Sequence, residues 1–361
     1  MKRWIATLLL MAAVFIPKSV FAEGSDGEAV YRILDENGRE ITLYAGIPEA
    51  GDEYIAGDNS HFRVTAVDAD NLTASAHSLG SYELPDVKWL TESARPVTAP
   101  QKAVALYCTH SDESYEPTDG ASSLEQRGGI YDVAESFKTA LEKEGITVYY
   151  SDENHYPHDA GAYRRSRATA ASLVEEGVDA IMDVHRDGIP DAAQYEKTMN
   201  GEDITKVRLL VGRSNQNAEA NKAFAAQIKA VGDEVYPGLI KDIYIGKGTY
   251  NQDLMSQAVL LEFGTYTNDK EAVLTSTGYM ADVMNKTLYG GVTGAADSGA
   301  AEDAGAWKGI GWLIGALIIG VMIYAFAATG RGRDAMGKFK RSFQEMTGGL
   351  GSGDHDGPKD E

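Results

Sequence analysis

The chain has 361 residues, and 54 acidic against 33 basic side chains give it a formal net charge of −21. A protein this acidic is a poor candidate for nucleic-acid binding, because phosphate contacts need clustered Lys and Arg side chains. Cys108 is the one cysteine, so an internal disulfide is excluded and the fold depends on its hydrophobic core.

Residues 1–22 predict a signal peptide. Two basic residues precede an apolar run at 4–16, and small residues end the segment at Ala22, where we expect cleavage. The alternative is an uncleaved anchor, for which the apolar run is short.

Residues 23–93 predict a small all-β domain. Apolar and polar residues alternate on both sides of Asn37 and Gly38, which is a strong hairpin signal. Similar alternation follows, giving four or five short strands. Residues 94–101, "ARPVTAPQ", predict a linker to the next domain.

Residues 102–293 show a different pattern, in which apolar strands alternate with helical stripes. "AVALYCTH", "AIMDVH" and "AVLLEF" are apolar runs typical of strands covered on both faces. "YDVAESFKTALEKEG" has the apolar spacing of a helix and ends at a glycine. The alternation predicts an α/β domain with a mostly parallel sheet and helices on both faces.

The C-terminal part predicts a membrane anchor. Residues 294–308 read as a flexible linker, and 309–329 form an uncharged stretch long enough to span a bilayer. Basic residues follow in the tail, 330–361, which the positive-inside rule places in the cytoplasm. We therefore expect a single-pass protein of the cell membrane, with an extracytoplasmic catalytic domain, a cytoplasmic C-terminus and one membrane span.

Three predicted strands end in chemically useful side chains: His110, His185 and Glu262. Carboxyl ends of parallel strands meet at one edge of a sheet, so we expect these groups to lie close together. Two imidazoles and carboxylates suit a zinc site with an open position, which supports amide hydrolysis. Read singly, each histidine has a structural alternative, such as a salt-bridge cluster around His185. A carboxylate inside the apolar run at Glu262 is costly unless it is paired or metal-bound.

The segments "HSDES", "DVHRDG", "GTYNQDL" and "AVLLEFG" resemble the stage II sporulation protein P family. These are extracytoplasmic peptidoglycan hydrolases related to the zinc-dependent N-acetylmuramoyl-L-alanine amidases. The resemblance covers about residues 102–290 and is more diffuse over the β domain. It implies a zinc amidase-like fold and cleavage of the amide between N-acetylmuramic acid and L-alanine of the stem peptide. An endopeptidase activity on cross-links can accompany it.

The resemblance also implies roles for single residues. His110 and His185 match zinc ligands, and Glu262 matches the catalytic acid/base. Glu125 stands at the family's spacing for the third ligand, ahead of the first long helix. Glu113 is the rival for that position and otherwise supports the site or faces substrate.

A further set of residues is expected to bind substrate or support the site. For Arg186, a salt bridge with a neighbouring aspartate is an equal alternative to holding a stem-peptide carboxylate. The polar residues of "GTYNQDL" can likewise serve conformation rather than recognition. The set consists of Glu113, Arg186, Asp187, Tyr250, Asn251 and Gln252.

One departure from the family concerns the anchor, because relatives generally carry it at the N-terminus. It leaves open whether the role is sporulation or general wall remodelling. A protein activator is a further expected partner. Two alternatives to the amidase stay open: a zinc peptidase on stem peptides, and a non-catalytic wall-binding membrane scaffold.

Overall fold

A computed structural model describes residues 29–90 and 102–290. In that part of the chain the strands are β1 (Val30–Leu34), β2 (Glu40–Ala45), β3 (Glu53–Ile55), β4 (Ser60–Asp68), β5 (Thr73–Ser81), β6 (Ala103–Tyr107), β7 (Thr147–Tyr150), β8 (Ala180–Asp187), β9 (Glu196–Met199), β10 (Glu202–Thr205), β11 (Val207–Gly212), β12 (Ile240–Gly246) and β13 (Ala258–Thr265). The α-helices are α1 (Glu116–Asp119), α2 (Ile130–Lys143), α3 (Ala162–Glu175), α4 (Ala218–Val235) and α5 (Lys270–Tyr289), and short 3₁₀ helices lie at Lys88–Leu90, Ala192–Gln194 and Gln252–Leu254.

Eleven of these strands form one mixed sheet, in the order β2-β1-β5-β4-β3-β12-β11-β13-β8-β6-β7. The predicted mostly parallel sheet is wrong. Strands β7, β6, β8 and β13 are parallel, but β13 pairs antiparallel with β11, and antiparallel pairs dominate from β12 to β2. The direction of β11 follows from its connection to β8, which passes through the β9–β10 hairpin rather than through a crossover helix. A parallel neighbour would have required a crossover, usually a helix.

The N-terminal strands continue this same sheet. β3 pairs antiparallel with β12, with Ile55 opposite Ile243. The sheet then curls, because β2 at its far end returns to the main strands: Tyr44 on β2 stacks on Tyr244 of β12, with ring centroids 4.1 Å apart. The domain boundaries given from the sequence stay predictions.

The two faces of the main strands pack against different elements. Helices α2, α4 and α5 cover one face, where residues such as Val184, Leu209 and Leu261 form the largest core cluster. Helix α3 lies on the other face, where Ala170 packs on Ile181. Because side chains alternate along a strand, the residues next to those core positions point to the α3 face. The candidate site lies on that face.

The prediction of a single-pass membrane protein is corrected by the described helices. Over residues 29–90 and 102–290, no helix is both long enough and apolar enough to cross a bilayer. The longest, α5, has 20 residues but carries charges at both ends, including Lys270 and Lys286. The segments predicted as signal peptide and span, 1–22 and 309–329, lie outside the described residues.

Candidate metal centre

Neighbouring strands bring the three predicted side chains to one region. His185 on β8 and Glu262 on β13 are partners in a parallel pair, so both project from the same face. His110 follows the end of β6, the other neighbour of β8. His110 and His185 are 2% and 3% exposed, and their ring centroids lie 4.9 Å apart. The two imidazoles are therefore buried side by side.

Glu113 completes this cluster. Its Oε1 lies 3.2 Å from Nδ1 of His110 and 3.2 Å from Nδ1 of His185. Its Oε2 accepts a hydrogen bond of 3.0 Å from the backbone N–H of Arg186. Candidate ligand atoms of the three residues all lie within 4.8 Å of one another. Two nitrogens and one oxygen are thus gathered at one buried place.

The donor set and its spacing fit a zinc ion. Two imidazoles and a carboxylate are typical of zinc sites that keep an open position. Ligand atoms about 2.0–2.2 Å from a tetrahedral zinc lie roughly 3.3 Å apart, close to the 3.2 Å separations at Glu113. A charge-assisted hydrogen bond would be shorter, about 2.7–2.9 Å. Nε2 of His110 is buried and makes no hydrogen bond, so Nδ1 is the ring nitrogen through which this histidine meets Glu113.

Local charges set the protonation states. Burial and the nearby His158 lower the pKa of His110 to about 3, which keeps this imidazole neutral. Burial acts to raise the pKa of Glu113, but His185 and His110 outweigh it and hold that pKa well below its usual range. For His185, burial acts to lower the pKa, but Asp183 and Glu113 outweigh it and raise the pKa well above the ordinary value. A neutral imidazole and an ionised carboxylate are ready to bind a cation, whereas binding through His185 releases a proton.

The loop that carries Glu113 folds back on itself. The backbone N–H of Ile130, at the start of α2, donates to the Glu113 carbonyl at 2.9 Å, and that of Leu124 donates to the Asp112 carbonyl at 2.8 Å. A Cβ at Gly128 would lie 2.2 Å from the Glu113 carbonyl oxygen, so only glycine fits there. This close packing fixes Glu113 beside the histidines.

Glu125, the predicted third ligand, lies apart from the cluster. Its side chain is exposed, and its Oε1 accepts a hydrogen bond of 3.0 Å from the Tyr156 hydroxyl. The structure places Glu113, its rival, between the histidines. The ligand assignment itself stays a prediction.

Two residues outside the predicted set of site residues contact the histidines. Nε2 of His185 lies 2.9 Å from Oδ1 of Asp183, although its N–H is not aligned for a hydrogen bond. Asp183 is fixed in turn by the backbone N–H and the hydroxyl of Thr109, at 2.8 and 2.6 Å. His158 packs against His110 with ring centroids 3.6 Å apart, and its Nδ1 lies 3.2 Å from Oδ1 of Asp112.

Glu262 faces the cluster across a small cavity. Glu113, Tyr163, His185 and Glu262 all line this cavity of about 10 Å³, which holds roughly one water molecule. The side chain of Glu262 is 13% exposed. Its Oε2 lies 3.2 Å from the Tyr195 hydroxyl. A carboxylate, the zinc candidate cluster and room for water thus adjoin one another.

Arg186 and Asp187 are buried and bonded to protein groups around the site. Arg186 is 1% exposed, and its guanidinium donates to the carbonyls of Ser114 and Ser122 at 3.1 and 2.8 Å, which ties down the loop that carries Glu113. Asp187 is 2% exposed and accepts a 2.6 Å hydrogen bond from Tyr195. The Arg186 contacts are with backbone carbonyls, so the salt bridge and the substrate contact both stay predictions.

The "GTYNQDL" segment is likewise engaged with the protein. Asn251 donates to the Tyr163 carbonyl at 3.1 Å, and Gln252 bridges Leu210 and Gly212 on β11 at 2.9 and 2.8 Å. Tyr250 is 7% exposed, and its ring packs edge-on against Tyr163. The segment holds Tyr163 beside the cavity, so its role in substrate binding stays a prediction.

A second missed group lies behind Glu262: Tyr195, Arg208 and Asp242. Arg208 and Asp242 each interrupt an apolar run, in "KVRLLVG" and "IKDIYIG". That is the same signal that identified Glu262, and it was available in the sequence. His158 and Tyr195 lie in loops, where no periodicity indicates which way a side chain points.

Comparisons with known proteins agree on one family. The family model described as Stage II sporulation protein P (SpoIIP) matches residues 57–285. The stage II sporulation protein P of Bacillus subtilis (strain 168) is 29% identical over an alignment of 214 residues, and the match covers 54% of this chain and 53% of the relative. The chain therefore aligns with about half the length of that relative.

Solved structures give weaker likenesses. The catalytic domain of CwlV, an N-acetylmuramoyl-L-alanine amidase from Bacillus (Paenibacillus) polymyxa var. colistinus, is 14% identical, with 52% of this chain and 98% of that chain covered and a TM-score of 0.33. The CwlD amidase from Clostridioides difficile, in complex with the GerS lipoprotein, is 14% identical, with 53% and 96% covered and a TM-score of 0.35. Scores this low support no conclusion about this chain.

Proposed function

Because the chain belongs to the stage II sporulation protein P family, we propose that it is a peptidoglycan hydrolase that uses zinc to cleave the amide between N-acetylmuramic acid and L-alanine. The observation that carries the proposal is the buried cluster of His110, Glu113 and His185, with Glu262 on the same small cavity. It joins a zinc-type donor set to a carboxylate suited to proton transfer.

The proposal assigns the third ligand to Glu113. Its Oε1 is equidistant from both Nδ1 atoms, and its side chain is 1% exposed. Burial of an ionised carboxylate is costly unless it is paired or metal-bound. Glu125 faces solvent, where this cost does not arise.

A zinc ion held by these residues would polarise the amide carbonyl and make a nearby water molecule more acidic. The chain's own residues supply the rest. Asp183 and Thr109 orient His185, and Glu113 is held from behind by the Arg186 backbone N–H.

Glu262 carries the proton. Its carboxylate takes a proton from the attacking water and returns it to the amine of L-alanine as the amide bond breaks. The cavity between Glu262 and the cluster has room for that water. Tyr163, in the first turn of α3, lines the same cavity and stacks on His185 with ring centroids 6.5 Å apart.

The test uses the full chain and purified peptidoglycan, with and without a chelator, and identifies the products by mass. Free stem peptides that begin with an L-alanine amine are the expected products, absent with the chelator and greatly reduced in Glu262→Gln. Shortened stem peptides still attached to muramic acid would contradict the amidase and favour a zinc peptidase. Binding without any release would favour the scaffold alternative.

A further inference from the structure

Four charged or polar residues lie in a row across adjacent strands. Asp242 on β12 pairs with Arg208 on β11, Arg208 pairs with Glu262 on β13, and Glu262 pairs with His185 on β8. Paired residues project from the same face, so this row joins the metal cluster to a second buried group of charges. That second group has no place in the function proposed so far.

Arg208 is the centre of the second group. Its side chain is 1% exposed, and it holds Asp242 by two bonds, Nε to Oδ1 at 2.7 Å and Nη2 to Oδ2 at 3.1 Å. Its Nη1 donates to Oδ2 of Asp187 at 3.0 Å and lies 3.8 Å from Oε2 of Glu262. A planar guanidinium with bonds on three sides has a fixed orientation. It therefore provides a fixed positive charge beside Glu262.

Tyr195 makes the second contact with the same oxygen. Its hydroxyl lies 2.6 Å from Oδ2 of Asp187 and 3.2 Å from Oε2 of Glu262. Burial and the Asp187 carboxylate raise the pKa of Tyr195 well above its ordinary value, so the hydroxyl keeps its proton. One hydroxyl proton serves one carboxylate at a time. When Glu262 is protonated, its own O–H can donate to Tyr195 while Tyr195 donates to Asp187, so both protonation states of Glu262 are accommodated.

Strand β2 supports Arg208 from the N-terminal part of the sheet. Nη2 of Arg208 donates to the Thr42 hydroxyl at 3.0 Å and to the Leu43 carbonyl at 3.2 Å. Ala45, at the end of β2, lines the same cavity as Glu262. The N-terminal strands therefore reach the site through Arg208, although they are far from it in the order of the sheet.

We propose that Arg208 and Tyr195 are positioning residues that hold Oε2 of Glu262, and that Thr42 on β2 makes the N-terminal strands part of this arrangement. The inference rests on the proposed function, in which Glu262 moves the proton. A general base must be held within a fraction of an ångström of its productive position, since a misplacement of about 1 Å can cost 10²-fold in rate.

The main test replaces Tyr195 with Phe, which removes the hydroxyl and keeps the ring. We expect kcat to fall roughly 10- to 100-fold with KM and bound zinc unchanged. The matched control is Tyr236→Phe, which removes a hydroxyl bonded to Asp282 at 2.8 Å, at the junction of α4 and α5. It should leave kcat unchanged. Equal losses in both variants, or a loss only in KM, would contradict the positioning role.

A second pair of variants tests the connection to β2. Thr42→Val removes the hydroxyl that accepts from Arg208, and Thr65→Val makes the same change at an exposed position on β4. We expect a fall in kcat of a few-fold for the first and none for the second. Unchanged kcat in Thr42→Val, with the fold intact by circular dichroism, would remove β2 from the arrangement.

A double variant with Glu262→Gln distinguishes loss of Glu262 positioning from a general loss of stability. If Tyr195 acts through Glu262, adding Tyr195→Phe to Glu262→Gln causes no further loss of the residual rate. Equal losses in both backgrounds would mean that Tyr195 acts independently. A wild-type chain without metal-dependent hydrolysis would overturn the proposed function together with this inference. An active wild type with an unaffected Tyr195→Phe would overturn the inference alone.

Discussion

Two buried clusters of charged side chains lie side by side on one face of the sheet, and they balance their charges in different ways. Around Arg208, a cation supplied by the chain contacts Asp242 and Asp187 at 2.7–3.1 Å. Around Glu113, the partners are two imidazoles at 3.2 Å, and one of them, His110, is kept neutral by burial. The first cluster is complete as a protein structure, whereas the second is suited to receive a cation from outside. Asp242 and Asp187 are thus paired within the fold, whereas Glu113 is available to a metal ion.

The largest expected effect is the loss of the internal cation. Arg208→Met leaves Asp242 and Asp187 buried without their main positive partner, and breaking a buried ion pair in this way costs roughly 3–5 kcal/mol. The free energy of unfolding, measured in urea for metal-free protein, should fall by that amount. A fall no larger than that of an exposed substitution would show that the two clusters do not differ as described.

The next effect concerns support of the metal ligands. Asp183→Asn weakens the contact that orients His185, and such supporting residues are worth about 10–100-fold in metal affinity. We expect zinc binding, measured by calorimetry on the folded variant, to weaken by that factor, in addition to any loss of stability from the Thr109 contacts. A large loss of stability with unchanged zinc affinity would place Asp183 with the structural cluster instead.

Glu53 on β3 is a less buried carboxylate whose charge is also balanced by cations of the chain. Burial acts to raise its pKa, but Lys222, Arg63 and His61 outweigh it and lower the pKa from 4.5 to about 2. Its stabilising contribution is therefore complete above pH 4.5 and is lost as pH falls towards 2. After solvent screening we expect Glu53→Gln to cost about 1–2 kcal/mol at pH 7 and progressively less as the solution is acidified. A cost that is independent of pH would mean that packing, not charge, is responsible.

The smallest effect is expected for Glu125, the exposed glutamate in the loop that also carries Glu113. Glu125→Gln changes a side chain that faces solvent, bonded to Tyr156. Its melting temperature and kcat should equal those of the wild type, in one thermal scan and one rate measurement. A marked loss of either would return Glu125 to the site.

Side chains on strands could be predicted from the sequence better than those on loops. The closeness of His185 and Glu262 could be predicted from the apolar runs that they end, because strand pairing fixes where such residues meet. Glu113 and Glu125 lie in one loop, and spacing cannot separate them. Their difference arises from the backbone contact at Gly128, a tertiary feature without a local signal.

The sheet itself shows the same limit. The alternating helices and strands correctly indicated an α/β chain, but not its mixed sheet. The hairpin of β9 and β10 reverses the direction of β11, and the curl of the N-terminal strands brings Thr42 to Arg208. Both depend on contacts between residues far apart in the chain, which periodicity does not encode.

The most direct test of the central claim is the zinc content of the full chain after equilibrium dialysis, compared among the wild type, Glu113→Gln and Glu125→Gln. We predict one zinc ion per chain in the wild type and in Glu125→Gln, and a loss of bound zinc in Glu113→Gln. Full zinc in Glu113→Gln, with its loss in Glu125→Gln, would contradict that claim.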